Sequence, residues 1–229
     1  MPVDNLSDLI EKVTRQLQYF QSLGVEDLNI PRKRERTAPV SHKGELLHKL
    51  QQEVARCQKC PLYLTRKTTV FGEGDVNARL MFIGEAPGYW EDVQGRPFVG
   101  QAGKLLTDII KAIGLSREEV YIGNIVKCRP PENRDPKPEE MESCQYYLHQ
   151  QIAIIRPEII CALGTFSAQR LLKTKLPISK LRGKFWDYQE IKLMATFHPA
   201  FLLRSPYKKR DVWEDMKKIK AYLEEGSQL

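Results

Sequence analysis

From about residue 79 onward, the chain alternates short apolar runs with longer amphipathic stretches. The apolar runs cover residues 79–84, 120–126, 158–163 and 191–197. Short apolar runs of this kind predict buried strands, and strands that alternate with helices predict a parallel sheet with helices on both faces. We therefore predict an α/β fold of three layers, α/β/α, around a central, mostly parallel, four-stranded sheet.

Helical periodicity fills the segments around these runs. Apolar residues recur there at spacings of three and four, which is typical of amphipathic helices, near residues 43–56, 105–113, 141–155, 166–172 and 208–224. Pro138, followed by two glutamates, suits the first turn of the third of these helices. Because the loops that follow parallel strands gather at one edge of the sheet, we expect the binding site at that edge.

The first 44 residues have a different character. The apolar spacing of residues 4–23 predicts an amphipathic helix. The polar stretch that follows carries several basic residues between Pro31 and Pro39 and is typical of a linker. We therefore predict two parts, an N-terminal helical extension with a basic linker in residues 1–44 and a main domain in residues 45–229.

Charge and composition narrow the class of protein. The chain has 229 residues, a net charge of +7 and a pI near 9.1, which favours a polyanionic partner such as nucleic acid. An ordinary basic surface gives the same composition. No apolar stretch is long enough to span a bilayer, and the N-terminus has no signal-peptide core. We expect a cytoplasmic protein without a membrane partner, whose cysteines bind metal or stay reduced.

Four cysteines form a pattern of separated ligands, Cys57-x2-Cys60 followed much later by Cys128-x15-Cys144. Zinc sites more often combine two tight hooks, whereas the second pair here is widely spaced. The spacing therefore favours a [4Fe-4S] cluster, with structural zinc as the alternative. Cys161 lies within an apolar run, and we interpret it as a buried core residue.

A glycine-rich run, GEAPGYWEDVQGRPFVGQAG, extends from Gly84 to Gly103 directly after the first predicted strand. Its glycines allow main-chain amides to approach an anionic or planar ligand closely. The run contains neither the G-x-G-x-x-G fingerprint nor the G-x-x-x-x-G-K-[ST] loop, so the sequence does not support binding of a dinucleotide or a P-loop nucleotide. The chemistry must therefore come from other residues.

Together, the glycine-rich run, the segment NIVKCRPPENRDPKPEE, the cysteine spacing and the segment TFHPAFLLRSP resemble the family 4 uracil-DNA glycosylases. This family is the iron–sulfur class of the uracil-DNA glycosylase superfamily, and the resemblance covers roughly residues 45–225. It implies a uracil-DNA glycosylase-like fold and a monofunctional enzyme that flips uracil out of DNA and hydrolyses the N1–C1′ glycosidic bond. That reaction starts base-excision repair.

The resemblance also implies the cofactor and the partner. A [4Fe-4S] cluster is expected on Cys57, Cys60, Cys128 and Cys144, and the partner is uracil-containing DNA. A cluster with four protein ligands leaves no open position on iron, so we expect it to order the structure rather than perform the reaction. We expect the enzyme to be a monomer.

An enzyme that acts on a base in DNA extrudes the nucleotide into a pocket and reads its hydrogen-bonding edge. By resemblance, Phe98 stacks on the extruded uracil, and Asn124 presents its amide to uracil O4 and N3. His198 donates a hydrogen bond to uracil O2 as negative charge collects on the leaving base. Glu85 and Ala86 are expected to contribute mainly main-chain contacts.

Glu91 and its neighbour Asp92 form an acidic pair inside the glycine-rich run. By resemblance, Glu91 lies beside the uracil pocket, where it positions water or crowds the methyl group of thymine. A carboxylate near the sugar also stabilises a transition state with oxocarbenium character. The best-known relatives carry an aspartate where Ala86 stands, so the sequence leaves open which group activates water.

The predicted DNA contacts follow the HPA motif and the second cysteine segment. We expect Arg204, Ser205 and Arg134 to meet the phosphate backbone, which supplies affinity without base choice. Leu202 or Leu203 is expected to wedge into the base stack and hold the flipped nucleotide out.

Two other functions are compatible with the sequence. One is a superfamily relative that acts on another deaminated base, which Asn124 disfavours because its amide suits uracil. The other is a non-catalytic DNA-binding module whose fold is stabilised by a bound metal ion such as zinc. This second function predicts a colourless protein.

Overall fold

The computed structural model describes residues 42–225, together with residues 10–12, 14, 15 and 18. The chain divides into two compact units, Met1–Pro39 and Val40–Leu229. The described residues near the N-terminus are helical, and they lie within the helix predicted at 4–23. The rest of that helix and the predicted linker up to residue 41 fall outside the described residues, and the division into domains stays a prediction.

The second unit is built on a six-stranded sheet with the order β1-β3-β2-β4-β6-β5. Its strands are β1 (Glu73–Gly74), β2 (Leu80–Gly84), β3 (Tyr121–Asn124), β4 (Ile159–Leu163), β5 (Phe185–Tyr188) and β6 (Ile191–Thr196). The four central strands pair in parallel, and they are the four that the sequence predicts. The two edge strands pair antiparallel and were not predicted. The mostly parallel α/β sheet is therefore confirmed, with two more strands than expected.

The helices of residues 42–225 include all five that were predicted there and three short ones that were not. They are α1 (His42–Ala55), α2 (Tyr89–Gln94), α3 (Gln101–Ala112), α4 (Pro138–Ile155), α5 (Thr165–Leu172), α6 (Ile178–Leu181), α7 (Pro199–Arg204) and α8 (Lys209–Glu225). The three short helices are α2, α6 and α7, which are too short to show an apolar period. Pro138 lies in the first turn of α4, as predicted.

Helices cover both faces of the sheet. Alternate residues of a strand point to opposite faces, and in β2 both sets are packed against helices. Met81 and Ile83 of β2 pack in a cluster with buried residues of α1 and α4. Leu80 and Phe82 pack in a second cluster with buried residues of α3 and α8. The predicted three-layer arrangement is confirmed. Among the described residues, no helix is both long enough and apolar enough to cross a membrane.

The carboxyl ends of the four parallel strands meet at one edge, as expected. There the Ile125 N–H donates to the Gly84 carbonyl (3.0 Å), and the Gly164 N–H donates to the Thr196 carbonyl (2.8 Å). Gly84 has no room for a side chain: a Cβ would lie 2.4 Å from Asn124 Oδ1 and 2.6 Å from the ring of Phe98. The close approach of these two groups therefore depends on glycine at the end of β2.

Candidate active site

A cleft of about 710 Å³ opens at this edge of the sheet. The loops after all four parallel strands contribute to its walls. Its lining includes many of the residues that the sequence nominates: Glu85, Ala86, Glu91, Phe98, Asn124, Arg134, His198 and Arg204. Segments that are more than one hundred residues apart in the chain thus supply side chains to one cavity.

Asn124 is the last residue of β3, and its side chain is almost fully buried at the base of the cleft. Its Oδ1 atom has no hydrogen-bond partner within the described part of the chain. The other buried side-chain atoms in that state, Arg170 Nε and the Tyr188 hydroxyl, do not line the cleft. A buried acceptor without a partner costs about 1–3 kcal/mol, and this atom is therefore available to accept a hydrogen bond from a ligand.

Phe98 contributes a buried ring to the cleft from a main chain in the left-handed region, with φ of 52°. A phenylalanine in this conformation costs roughly 1–3 kcal/mol unless its surroundings impose it. Two features hold this conformation. The Phe98 carbonyl oxygen packs so closely on Gly103 that an added Cβ there would lie 1.8 Å from it. Arg117 donates to the carbonyls of Pro97 (2.8 Å) and Phe98 (3.2 Å). Sequence reasoning missed Arg117, which lies outside every motif.

The ring of Phe98 lies against the imidazole of His198, with the ring centroids 5.6 Å apart and the planes 31° apart. His198 precedes α7 as its N-terminal cap, and its Nδ1 accepts a hydrogen bond from the Ala200 N–H (3.1 Å). A nitrogen that accepts carries no proton, so in the neutral ring the proton is on Nε2. The main chain therefore fixes which nitrogen can donate.

The imidazole of His198 is held neutral by its surroundings. Desolvation in the cleft, followed by the positive charge of Arg204, lowers the pKa of His198 to about 4, although Glu91 acts in the opposite direction. At neutral pH the ring therefore carries no charge and presents one N–H donor. It can stabilise negative charge on a ligand without being a strong acid itself.

The structure separates the two acids of the Glu91–Asp92 pair. Glu91 lines the cleft, and its Oε1 accepts hydrogen bonds from the Val99 N–H (2.9 Å) and the Gly100 N–H (3.0 Å). Asp92 is buried, and it accepts hydrogen bonds from the main-chain amides of residues 67 and 68. Glu91 thus fixes the loop that carries the phenylalanine ring, while Asp92 anchors a different segment.

Glu85 lines the cleft with its carboxyl group. The sequence predicted mainly main-chain contacts for this residue and no role for its carboxyl group. Burial, and then repulsion from Asp135, raise the pKa of Glu85 to about 7. No hydrogen bond is among the causes of this raised pKa. The signal that sequence reasoning could have used is its position, an ionisable residue immediately after a fully buried strand. Ala86 follows it in the cleft wall.

The residues expected to contact DNA fall into two groups. Arg204 is exposed and Ser205 is half-buried at the end of α7, and Leu203 is 47% exposed. Leu202 is fully buried in the second hydrophobic cluster. This corrects the prediction for Leu202, because a side chain packed in the core cannot enter a base stack. Arg134 lines the cleft and also forms two hydrogen bonds to the carboxylate of a buried glutamate on α4.

The four predicted metal-ligating cysteines, Cys57, Cys60, Cys128 and Cys144, line one small cavity between α1 and α4. Arg66 Nη1 donates to Cys128 Sγ (3.2 Å), and the Lys127 main-chain N–H donates to Cys144 Sγ (3.3 Å). Burial raises the pKa of the Cys144 thiol to about 11. Cys161 is separate, buried in β4 as expected.

The arrangement of these thiols can be compared with the two kinds of metal centre that the sequence leaves open. No three Cys, His, Asp or Glu side chains in the described residues converge on a site for a single ion. In a zinc site all thiolates lie about 2.3 Å from one ion, whereas in a [4Fe-4S] cluster each thiolate binds a different iron. Four thiols that share a cavity without converging on one point fit the cluster.

Lys127 connects this cavity to the cleft and was also missed in the sequence. Its side chain is fully buried, and Nζ donates to the Asn124 carbonyl (2.7 Å) and to Gln151 Oε1 (2.6 Å). Gln151 in turn donates to the Phe71 carbonyl (2.8 Å). Burial lowers the pKa of Lys127 to about 8. The main chain that carries the asparagine is therefore held by the residue that precedes Cys128, one of the four cysteines of the cavity.

Comparisons with known proteins agree with this geometry. The family model described as the uracil DNA glycosylase superfamily matches residues 71–217. The chain is 45% identical over 183 residues to the type-4 uracil-DNA glycosylase of Thermotoga maritima, across 78% of this chain and 95% of that protein. It is 49% identical over 183 residues to the type-4 enzyme of Saccharolobus solfataricus, across 76% and 85%. The type-5 uracil-DNA glycosylase of Pyrobaculum aerophilum is 28% identical over 180 residues.

Proposed function

This chain belongs to the uracil DNA glycosylase superfamily, resembles the type-4 enzymes and is a uracil-DNA glycosylase, and we propose the following account of how its cleft removes uracil from DNA. One uracil nucleotide flips out of the DNA into the cleft, and water hydrolyses the bond between uracil N1 and deoxyribose C1′. The observation that carries this assignment of roles is the unpartnered Oδ1 of Asn124, in the same cleft as Phe98 and His198.

Asn124 selects the base. Its Oδ1 accepts a hydrogen bond from uracil N3–H, and its amide N–H₂ donates to uracil O4. Cytosine presents an acceptor at N3 and an amino group at C4, so both hydrogen bonds would be lost and buried polar groups would be left unpaired. A site built to hydrogen-bond one pattern rejects an analogue that lacks it by a factor on the order of 10⁴.

Phe98 and His198 bind and stabilise the base as it leaves. The face of Phe98 stacks on the uracil ring, and Nε2–H of His198 donates to O2, where negative charge develops when the glycosidic bond breaks. The neutral state of His198 matters, because its low pKa keeps the ring as a preorganised donor at neutral pH. Loss of one such donor typically costs about 10²–10³ in rate.

Glu85 is the candidate for water activation that the sequence left open. Its pKa of about 7 is close to physiological pH, which suits a general base. The carboxylate of Glu91 is already bound by two main-chain amides, which supports a positioning role for it. When ionised, both carboxylates also favour the positive charge that develops on the sugar. Crowding of the thymine methyl group by Glu91 stays a prediction.

Arg204, Ser205 and Arg134 are the proposed phosphate contacts, and Leu203 is the proposed wedge. The exposure of Leu203 and its place one residue before Arg204 support these roles. Phosphate contacts supply most of the affinity without base choice. That the enzyme is a cytoplasmic monomer also stays a prediction.

The direct test is incubation of the purified protein with labelled oligonucleotides that contain one uracil, hypoxanthine or thymine. Alkali then converts each abasic site into a strand break. We expect cleavage at uracil and none at thymine. Absence of cleavage at uracil, or faster cleavage at hypoxanthine, would contradict the proposal.

The [4Fe-4S] cluster is proposed on Cys57, Cys60, Cys128 and Cys144, where its chemistry is to bind four thiolates and so order the segments that carry them. We expect a brown protein that contains iron and acid-labile sulfide. Cys128→Ala should lose the colour, the iron and the activity together, whereas Cys161→Ala should keep all three. Stoichiometric zinc in a colourless native protein would exclude the cluster.

A further inference from the structure

Helix α2 carries two exposed aromatic side chains beside the cleft. Trp90 is 56% exposed and Tyr89 is 43% exposed, and their rings meet edge to face with centroids 5.2 Å apart. The residues on either side of this pair, Gly88 and Glu91, both line the cleft. Consecutive Cα atoms are about 3.8 Å apart, so the Trp90 backbone is one residue away from the wall of the uracil pocket.

Two cations flank the aromatic pair. Lys67 Nζ and the guanidinium carbon of Arg129 each lie 5.1 Å from the centre of the Tyr89 ring. Arg129 also donates to Asn133 Oδ1 (2.7 Å), and Asn133 lines the cleft. Tyr89 thus holds two positive charges at the rim of the cleft, on the side of the segment between two cysteines.

Trp90 itself remains open. One edge of its indole lies near Gly100, where an added Cβ would come 4.0 Å from Cδ1. Although Tyr89 packs against it, the Trp90 side chain is 56% exposed, so part of the indole surface is available to a planar ligand. The indole has the area and rigidity of a stacking platform.

We propose that Trp90, Tyr89, Lys67 and Arg129 form a second nucleotide subsite, in which Trp90 stacks on the base next to uracil in the same DNA strand. Lys67 and Arg129 contact the phosphate of that nucleotide. This inference rests on the proposed function. When uracil flips out, the neighbouring base loses a stacking partner, and aromatic rings flanked by cations are how proteins hold unstacked single-stranded bases.

The test measures excision with single-stranded and duplex oligonucleotides of one sequence around uracil. Trp90→Ala should lower kcat/KM by roughly 5- to 160-fold, the range that corresponds to loss of one base–aromatic stack, while kcat at saturating DNA changes little. Trp90→Phe should keep most of kcat/KM. Tyr146→Ala is the matched control, because Tyr146 is 49% exposed with Lys59 Nζ 5.0 Å from its ring, and it does not line the cleft.

A second set of substrates identifies the ligand of Trp90. Each carries an abasic analogue in place of the base on the 5′ or the 3′ side of uracil. On one of these two substrates, kcat/KM of the native enzyme should fall by about the same factor as the Trp90→Ala substitution causes on the intact strand. On that same substrate, the Trp90→Ala variant should show no further fall in kcat/KM. Separate Lys67→Ala and Arg129→Ala variants should each reduce the slope of log kcat/KM against log salt by about 0.7 on single strands.

Two outcomes would overturn the subsite. One is a Trp90→Ala variant as efficient as the native enzyme, and the other is independent, multiplicative losses from the variant and from both abasic substrates. Either result, with active native enzyme, would leave the proposed function intact. An inactive native enzyme would instead remove the proposed function, so the two failures are distinguishable.

Discussion

The cleft and the cysteine site lie at opposite ends of a five-residue segment, Asn124 to Cys128. They differ in whether their buried polar atoms have hydrogen-bond partners within the protein. In the cleft, Asn124 Oδ1 has no partner in the described residues, and Phe98 has a strained backbone. At the cysteine site, two sulfur atoms already accept hydrogen bonds from the protein. The cleft therefore keeps a buried acceptor available for a ligand, whereas the protein itself already donates to two sulfur atoms of the cysteine site.

Lys127 makes the comparison more informative, because it belongs to both regions. Its main-chain N–H donates to Cys144 Sγ, while its side chain donates to the Asn124 carbonyl. The Asn124 carbonyl thus has a partner within the protein, and Oδ1 of its side chain is left for a ligand. Preorganisation of this kind reduces the free energy spent on ordering the site when the base enters.

The largest expected effect is that of Asn124→Ala. Uracil excision should fall on the order of 10⁴-fold, because the variant lacks the amide that reads the base. The melting temperature of the free protein should fall little, since the lost acceptor had no partner whose hydrogen bond would be broken. Single-turnover excision and thermal denaturation measure the two quantities, and the brown colour should be unchanged. Full activity would remove Asn124 from the mechanism.

His198→Ala comes next, with an expected loss of about 10²–10³ in kcat. The physical reason is the loss of the neutral Nε2–H donor to uracil O2. His198→Gln, which keeps an N–H donor, should retain more activity than the alanine variant. His149→Ala is the control, because His149 lies on α4 outside the cleft and should be dispensable. Equal activities of the three variants would contradict the donor role.

Glu85→Gln should lower kcat/KM by about 10²-fold, the lower end of the range for a general base, and should change the pH profile. With a pKa of about 7, native kcat/KM should fall about tenfold per pH unit below that value and level off above it. The variant should lose this acid limb. His198→Ala should keep the limb, because the pKa of His198 is about 4. An unchanged acid limb in Glu85→Gln would assign it to another group.

The raised pKa of Glu85 also predicts how the stability of the protein depends on pH. This pKa is raised on folding from 4.5 to about 7, so the unfolded state releases the proton first and is favoured as pH rises between these values. Glu85→Gln should therefore raise the melting temperature at pH 8 and leave it nearly unchanged at pH 4. An increase at both pH values would mean that packing, not ionisation, is responsible.

Sequence analysis predicted the fold where the signal is long and periodic. The four parallel strands and the helices of two turns or more follow from apolar patterning, and Phe98, Asn124 and His198 follow from family motifs. Strand β1 has two residues and α7 has six, which is too short for a period. Arg117 and Lys127 escaped notice because their roles depend on contacts between distant segments. A single sequence does not encode such contacts in any local pattern.

The two leucines of α7 give the smallest expected effect on catalysis. Leu203→Ala should slow excision from duplex DNA several-fold and leave excision from single-stranded DNA unchanged, since a wedge is needed only where a stack must be held open. Leu202→Ala should instead cost about 2–5 kcal/mol of unfolding free energy, because Leu202 is fully buried. The folded fraction of that variant should keep its preference between the two substrates. Equal losses on duplex and single strands for Leu203→Ala would show that this side chain stabilises the cleft rather than the flipped state.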